Sequence, residues 1–194
     1  MERDLDYPTI NQHSANQHVS MNHFLVDIEG RAFRMAQIAT GNRDDALEIV
    51  QDTMIKLVQK YSTHHADEWK ALFYSILHTR ILDWHRRQSV RNRFRSWLHW
   101  HDDEDDESED TLEQHPGNKG NEPDSQLQNG QFMTDLNVAL NALPLHQQQA
   151  FLLRAWEGLD ISETASIMRC SASSVKTHYA RALKKLRAQL EDHQ

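Results

Sequence analysis

Ser171, Ser173, Ser174, Lys176, Thr177, Arg181 and Lys184 fall within fourteen residues of one another near the end of the chain. Small hydroxyl side chains come first and cations follow. Hydroxyls on the opening turns of a helix can meet base edges in a major groove, while cations further along reach phosphates. From Arg169 to Arg187 there are six basic residues and no acidic one. A second cluster, Arg80, Arg86, Arg87, Arg91, Arg93 and Arg95, is opposed by a single acid, Asp83, over residues 80–95. Trp84, Phe94, Trp97 and Trp100 are interleaved with it. Cations follow a nucleic-acid backbone and rings stack on unpaired bases, the combination used on single strands. Trp69, Phe73 and Trp84, taken singly, are better read as core residues, and the arginine clustering is the firmer half of the signal. Both clusters point to nucleic acid.

Catalytic chemistry finds no matching pattern. There is no glycine-rich phosphate loop and no nucleophile elbow. Among 13 histidines the closest sets are His64-His65, His99 and His101, and none is spaced as ligands against a second cluster. Cys170 with His178 would need further partners. The chain is therefore expected to be a non-enzyme with no catalytic residue, no metal and no cofactor.

Helices must position the two basic clusters. Apolar residues recur at helical spacing in Phe24, Ile28, Ala32, Met35, Ile38 and Ala39, and Gly41-Asn42 breaks the pattern. Asp45 with Glu48 has the form of a capping box opening a second helix, with Leu47, Val50, Met54, Leu57 and Tyr61 as its apolar side. A third helix is predicted from about Asp67 to about Arg95, with Trp69, Leu72, Phe73, Ile76, Leu77 and Trp84 buried. Helical spacing returns at Phe132, Leu136, Ala139 and Leu143 and stops at Pro144. A helix over 146–156 ends at Gly158, and Asp160 with Glu163 forms another capping-box signature. Arg169-Cys170-Ser171 is the turn, with Ser171 the N-cap of a last helix reaching about Leu190. Short helix, three-residue turn and longer basic helix make the outline of a helix-turn-helix. The expectation is all-α: two small helical domains joined by an acidic flexible linker, the C-terminal one with a helix-turn-helix.

The 21 Lys and Arg against 29 Asp and Glu give a net charge of −8, which taken whole argues against binding phosphates. Partition reverses that inference. Residues 1–98 carry 13 basic and 12 acidic side chains, and residues 132–194 carry seven and six. Residues 99–131 carry Lys119 against 11 acids. A like-charge block with few apolar residues cannot offset the entropy of ordering, so this segment reads as a disordered linker. Residues 1–22, rich in Asn, Gln and His, read as a disordered tail. The domains are then 23–96 and 132–190, with 97–131 between them. Six Gly and four Pro speak against a turn-rich β-sandwich, and one cysteine fits a reducing compartment. No secretory or transit pattern opens the chain and no run approaches the ~18 apolar residues of a membrane span. A soluble cytoplasmic protein without membrane insertion is expected.

Asp45-Ala46-Leu47-Glu48-Ile49-Val50-Gln51-Asp52-Thr53-Met54-Ile55-Lys56 resembles the region-two helix of bacterial RNA polymerase sigma factors. Leu143-Pro144, Phe151-Leu152-Leu153, Glu157-Gly158-Leu159, and Ser171 through Val175-Lys176-Thr177 to Arg181-Ala182 and Leu186-Arg187 resemble region four. Two such domains with a short linker, and no third small-molecule-binding domain after residue 190, resemble the extracytoplasmic-function group. The resemblance covers about residues 23–96 and 132–190.

It implies a sigma factor that binds core polymerase, directs it to promoters and assists their opening. Asp45, Glu48, Gln51, Asp52 and Lys56 would dock on the largest subunit. Thr79, Arg80, Trp84, Arg86, Arg87 and Arg91 would serve minus-ten recognition and melting. Ser171, Ser173, Ser174, Lys176, Thr177, Arg181 and Lys184 would enter the major groove of the minus-thirty-five element. The linker would run towards the active centre and RNA exit path, and the implied partners are core RNA polymerase (its largest and second-largest subunits), promoter DNA and an anti-sigma factor. Thr79 and Leu72 stand where the family pattern has Asn and Trp, and Gln148 where it has Arg, which removes a phosphate contact. Two rival readings remain at this point. A stand-alone dimeric helix-turn-helix regulator gives the Asp45–Lys56 helix no role. A helical adaptor with an acidic linker predicts no salt-dependent DNA affinity.

Overall fold

The computed structural model describes residues 10–99 and 127–191, with side-chain surroundings over 20–93 and 133–190. All regular structure among the described residues is helical. Helix α1 (Ile10–Thr40) buries Ile28, Ala32, Met35, Ile38 and Ala39 as the periodicity predicts, with Phe24 half-buried. It begins well before Phe24, and Met21 is already in the core, which corrects the tail expected through residue 22. The costly step in a helix is its nucleus. Each added residue then brings its own hydrogen bond, so polar residues without any apolar period can extend a helix already anchored downstream.

Gly41, at φ 65°, closes α1 by donating its N–H to the Gln37 carbonyl at 2.8 Å. Asn42 then starts helix α2 (Arg43–Tyr61). Its side-chain oxygen accepts from the N–H groups of Asp44 (2.8 Å) and Asp45 (3.1 Å). Asn42 thus takes the capping role expected of Asp45 with Glu48, and two acids are left in the first turn, where the positive end of the helix favours them. Ala46, Ile49, Val50, Thr53 and Leu57 face the core. Leu47 does not: it is 38% exposed, a correction to the predicted stripe.

Helix α3 (Ala66–His99) inserts Trp69, Phe73, Ile76, Leu77 and Trp84 into this core, as predicted. Phe24 meets the rings of Trp69 and Phe73 at centroid separations of 5.9 and 6.2 Å. The Trp69 indole N–H donates to the Tyr61 carbonyl at 3.2 Å. Tyr74, His78 and Ile81 are buried as well. That is a wider apolar girth than a three-helix domain requires, and it signals a second covering layer.

The layer is the C-terminal domain: α4 (Leu127–Asn141), α5 (Leu145–Phe151), a π-helical turn (Leu152–Trp156), α6 (Ile161–Met168) and α7 (Ala172–Glu191). Helix α4 starts before the predicted Phe132, and most of the acidic segment, residues 100–126, lies outside the described residues. In the turn the Glu157 N–H reaches back five residues to the Leu152 carbonyl at 3.0 Å, and Gly158 leaves it at φ 67°. Helix α7 closes this domain against α4, α5 and α6, while α6 packs on α3 and α4 on α1. The two domains are in contact.

Candidate nucleic-acid interface

Helix α6 opens with the predicted capping box. The Glu163 N–H donates to the Asp160 carboxylate, and the Asp160 N–H to that of Glu163, each at 2.7 Å. The helix ends at Arg169, a non-glycine residue at φ 52°, after which the Cys170 N–H donates to the Ala165 carbonyl at 3.1 Å. Ser171 then caps α7, its hydroxyl oxygen accepting from the Ser174 N–H at 3.1 Å. The same hydroxyl lies 2.8 Å from those of Ser173 and Ser174. Val175, Ala182 and Leu186 anchor α7 in the core, with Tyr179 half-buried. Tyr179 stacks near Phe151 at 6.3 Å and lies under the Arg154 guanidinium at 5.8 Å, and Arg154 also donates to the Leu159 carbonyl.

This anchoring leaves the opposite face of α7 in solvent. Ser171, Ser173, Lys176, Thr177, Arg181 and Lys184 are exposed and Ser174 is half-buried, so the seven predicted groove residues share one surface. The Thr177 hydroxyl donates to the Ser173 carbonyl at 3.0 Å. Arg169, Lys185 and Arg187 are exposed too and extend the positive surface. The basic run from Arg169 to Arg187 was the signal for them, and the narrower groove set came from the resemblance. Gln148 is elsewhere. It is buried, with its amide donating to the carbonyls of Leu140 (3.0 Å) and Ile38 (3.3 Å), so this side chain joins helices rather than facing a phosphate.

The second basic cluster is divided by the fold. Arg86, Arg87, Arg91 and Arg93 are exposed on α3. Arg86 lies 3.6 Å from Asp83, and Arg87 Nε donates to the Asp83 carbonyl at 3.3 Å. Arg80 is half-buried, 3.6 Å from Asp52 of α2. The Thr79 hydroxyl donates to the Ser75 carbonyl at 2.8 Å. Trp84, which the resemblance also implied as a minus-ten contact, is 8% exposed, with its ring edge-on to His85 at 4.9 Å. The apolar core takes that ring because burying an indole is worth more than leaving it in water. The side chains of Phe94, Arg95 and Trp97, and all of Trp100, lie outside the described residues.

On α2, Glu48 and Gln51 are exposed and Asp45, Asp52 and Lys56 half-buried. Ile55 (53% exposed), Leu47 and Val58 stand beside them. This mixed apolar and charged face has the composition of a protein-docking surface. Among the described residues no group of three His, Cys, Asp or Glu is placed to hold a metal ion, and no helix is long and apolar enough to cross a membrane.

Sequence reasoning missed a polar cluster between the domains. The Glu157 carboxylate, fully buried, lies 3.8 Å from Arg31 of α1, and its backbone carbonyl accepts from Lys70 Nζ of α3 at 2.8 Å. The Tyr74 hydroxyl faces the carboxylate. Burial first, and Glu157 second, push its pKa far above the usual phenol range. Glu157 lies 87 positions from Lys70, and comparably far or farther from Tyr74 and Arg31, so no local spacing could have joined it to them.

Residues 21–91 match the family model for sigma-70 region 2, and residues 134–186 that for sigma-70 region 4. The RNA polymerase sigma factor SigV of Bacillus subtilis (strain 168) is 32% identical over 159 residues, 81% of this chain and 83% of that protein. The ECF RNA polymerase sigma factor SigX of the same organism is 27% identical over 152 residues, 77% and 73% of the two chains. In structure, the fold is similar to that of the sigma factor RpoE of Bartonella quintana in its complex with the anti-sigma factor NepR. That match has a TM-score of 0.61 at 21% identity and covers 87% of this chain and 97% of the other. With both conserved regions matched in order and a relative aligned over four-fifths of its length, the chain belongs to the extracytoplasmic-function group of the sigma-70 family, the factors that direct RNA polymerase to promoters.

Proposed function

We propose that the chain works as a non-catalytic initiation subunit whose three surfaces divide the labour. The face of α7 reads the minus-thirty-five element: Ser171, Ser173, Ser174 and Thr177 near base edges, Lys176, Arg181 and Lys184 on edges or phosphates. The exposed arginines of α3, Arg86, Arg87 and Arg91, hold the minus-ten region as it opens, with Thr79 and Arg80 at the rim and Trp84 supporting the helix from the core. Asp45, Glu48, Gln51, Asp52 and Lys56 on α2 dock on the largest polymerase subunit, and the acidic segment runs on towards the second-largest. The work places the chain in the cytoplasm, where polymerase acts. By analogy with the relative bound to NepR, an anti-sigma factor is a further partner.

The observation that carries this reading is the solvent-facing side of α7, cationic and free of acids from Arg169 to Arg187, on the second helix of a helix-turn-helix. Mixing the full chain with core polymerase and a promoter library tests it. Run-off transcripts from a subset of promoters are expected. Failure of the chain to co-purify with core, or absence of transcripts, would count against it decisively.

A further inference from the structure

Between Arg169 and Arg187 the chain has no Asp, Glu, Asn or Gln. Those are the side chains that ordinarily accept a hydrogen bond from the exocyclic amino groups of cytosine and adenine in a major groove. The cations on the exposed face of α7, Lys176, Arg181 and Lys184, only donate. Guanine and the phosphates suit them, and amino groups do not. An acceptor has to come from elsewhere on the helix. His178 is half-buried and meets the ring of His146 on α5 at 5.7 Å, while Tyr179 is half-buried against Phe151 and Arg154. Cys170 is half-buried too, and its sulfur is a weak acceptor. The hydroxyls of Ser171, Ser173, Ser174 and Thr177 are left.

A hydroxyl carries one proton and two lone pairs, so its polarity follows from where the proton goes. Ser171 Oγ accepts from the Ser174 N–H at 3.1 Å and lies 2.8 Å from both Ser173 Oγ and Ser174 Oγ. With one lone pair filled, Ser171 accepts from one of these neighbours and donates to the other. The neighbour that receives keeps its own proton for the outside, and the two arrangements are interchangeable. The serines therefore offer a base either a donor or an acceptor and discriminate weakly. Thr177 differs. Its hydroxyl donates to the Ser173 carbonyl one turn back at 3.0 Å, a bond that the stiff β-branched side chain favours in a helix. Only lone pairs then face outward. Ser173, Thr177 and Arg181 are exposed at intervals of four residues, so Thr177 stands in the middle of one stripe along the solvent face.

We propose that Thr177 is a specificity-determining acceptor: it reads an exocyclic amino group, adenine N6 or cytosine N4, in the minus-thirty-five major groove, its own proton being held by the Ser173 carbonyl. The proposal rests on the promoter reading of α7. It is tested on the full chain assembled with core polymerase, by competition binding to a promoter duplex that the parent transcribes. Single adenines in the minus-thirty-five element are replaced by purine, and single cytosines by 2-pyrimidinone, each change deleting one amino group. At one position the deletion should weaken binding by the parent about three- to tenfold. Thr177→Val keeps the shape and the methyl group and removes the oxygen. It should bind the intact duplex more weakly by a similar factor and lose nothing further at that position. Thr177→Ser, which keeps the oxygen, should respond to the deletion as the parent does. Weakened base pairing affects all three proteins alike and cancels in the comparison. Equal losses for parent and Thr177→Val at every position would overturn the proposal while leaving the promoter reading intact. A parent that yields no run-off transcript from any promoter would remove that reading, and the proposal with it.

Discussion

His78 Nδ1 lies 3.5 Å from Gln149 Oε1, joining α3 of the N-terminal domain to α5 of the C-terminal one. Burial pushes the imidazole down to about 4, partly countered by Gln149, and the positive ends of His146 and Arg169 push it the same way as burial. These are the charged groups that face it from α5 and from the end of α6. Because the folded value is depressed, the neutral ring is what the folded structure holds, and the unfolded chain takes up the proton first. Stability is thus complete above about pH 6.5 and is lost as pH falls towards 4, by roughly 3 kcal/mol for a fall of about two and a half pH units. Thermal unfolding of the parent and of His78→Gln between pH 7.5 and 5 checks this. The parent should lose more stability than the variant, and parallel losses would assign the pH dependence to other histidines.

Lys176 and Arg181 are both exposed on the solvent side of α7, about one and about two and a half turns from its start. Lys176→Ala or Arg181→Ala should weaken promoter binding by about 1–3 kcal/mol where a bidentate base contact is lost. A phosphate contact behaves differently: its loss weakens all sequences alike and lowers the slope of log affinity against log salt by about one. Titrations at several salt concentrations on cognate and scrambled fragments separate the two. Unchanged binding in both variants would remove α7 from the DNA surface.

Arg169 sits at φ 52° where a helix C-terminus ordinarily recruits glycine. A side chain in this conformation costs about 1–2 kcal/mol, against a glycine entropy cost of about 0.5–1 kcal/mol. Its side chain is exposed, so packing does not explain the choice. Placed in the turn just before α7, the cation adjoins the proposed DNA face, and a contact there is what would offset its backbone cost. Arg169→Gly should therefore raise stability by about 0.5–1 kcal/mol in urea unfolding while weakening promoter binding. A variant both less stable and equally tight would contradict this account.

The individual helices were legible because each carries its own signal. The stripe from Ile28 to Ala39, the Asp160–Glu163 capping box and the Ser171 cap all appear where spacing put them. Errors arose where two signals competed. Asn42 outbid Asp45 for the start of α2, and Leu47, apolar and in phase, faces outward. Trp84 carried two readings, core by its spacing and base contact by its family position, and the core holds it. The junction was invisible for another reason: Arg31, Tyr74 and His78 meet Glu157 and Gln149 through folding of distant segments. Buried polar residues on α3 had no local rationale until the second domain covered them.

Residues 102–113 contain nine acids and no base. On the proposed function, a negative block tethered between two DNA-binding domains would repel the duplex from the free protein, and polymerase would relieve this by taking the segment into its channel. Replacing the nine acids by their amides keeps the chain length while removing the charge. Promoter-fragment affinity of the free protein should rise, most at low salt, where the Debye length exceeds its ~10 Å at 0.1 M. The gain should shrink as salt rises. Deletion of 102–113 removes charge and length together, so it should improve binding to a single-element fragment more than to one carrying both elements. If the amide variant gains nothing at low salt, the segment's charge acts only inside the polymerase. Its electrostatic role would then have to be measured there, as a change in run-off yield rather than in free binding.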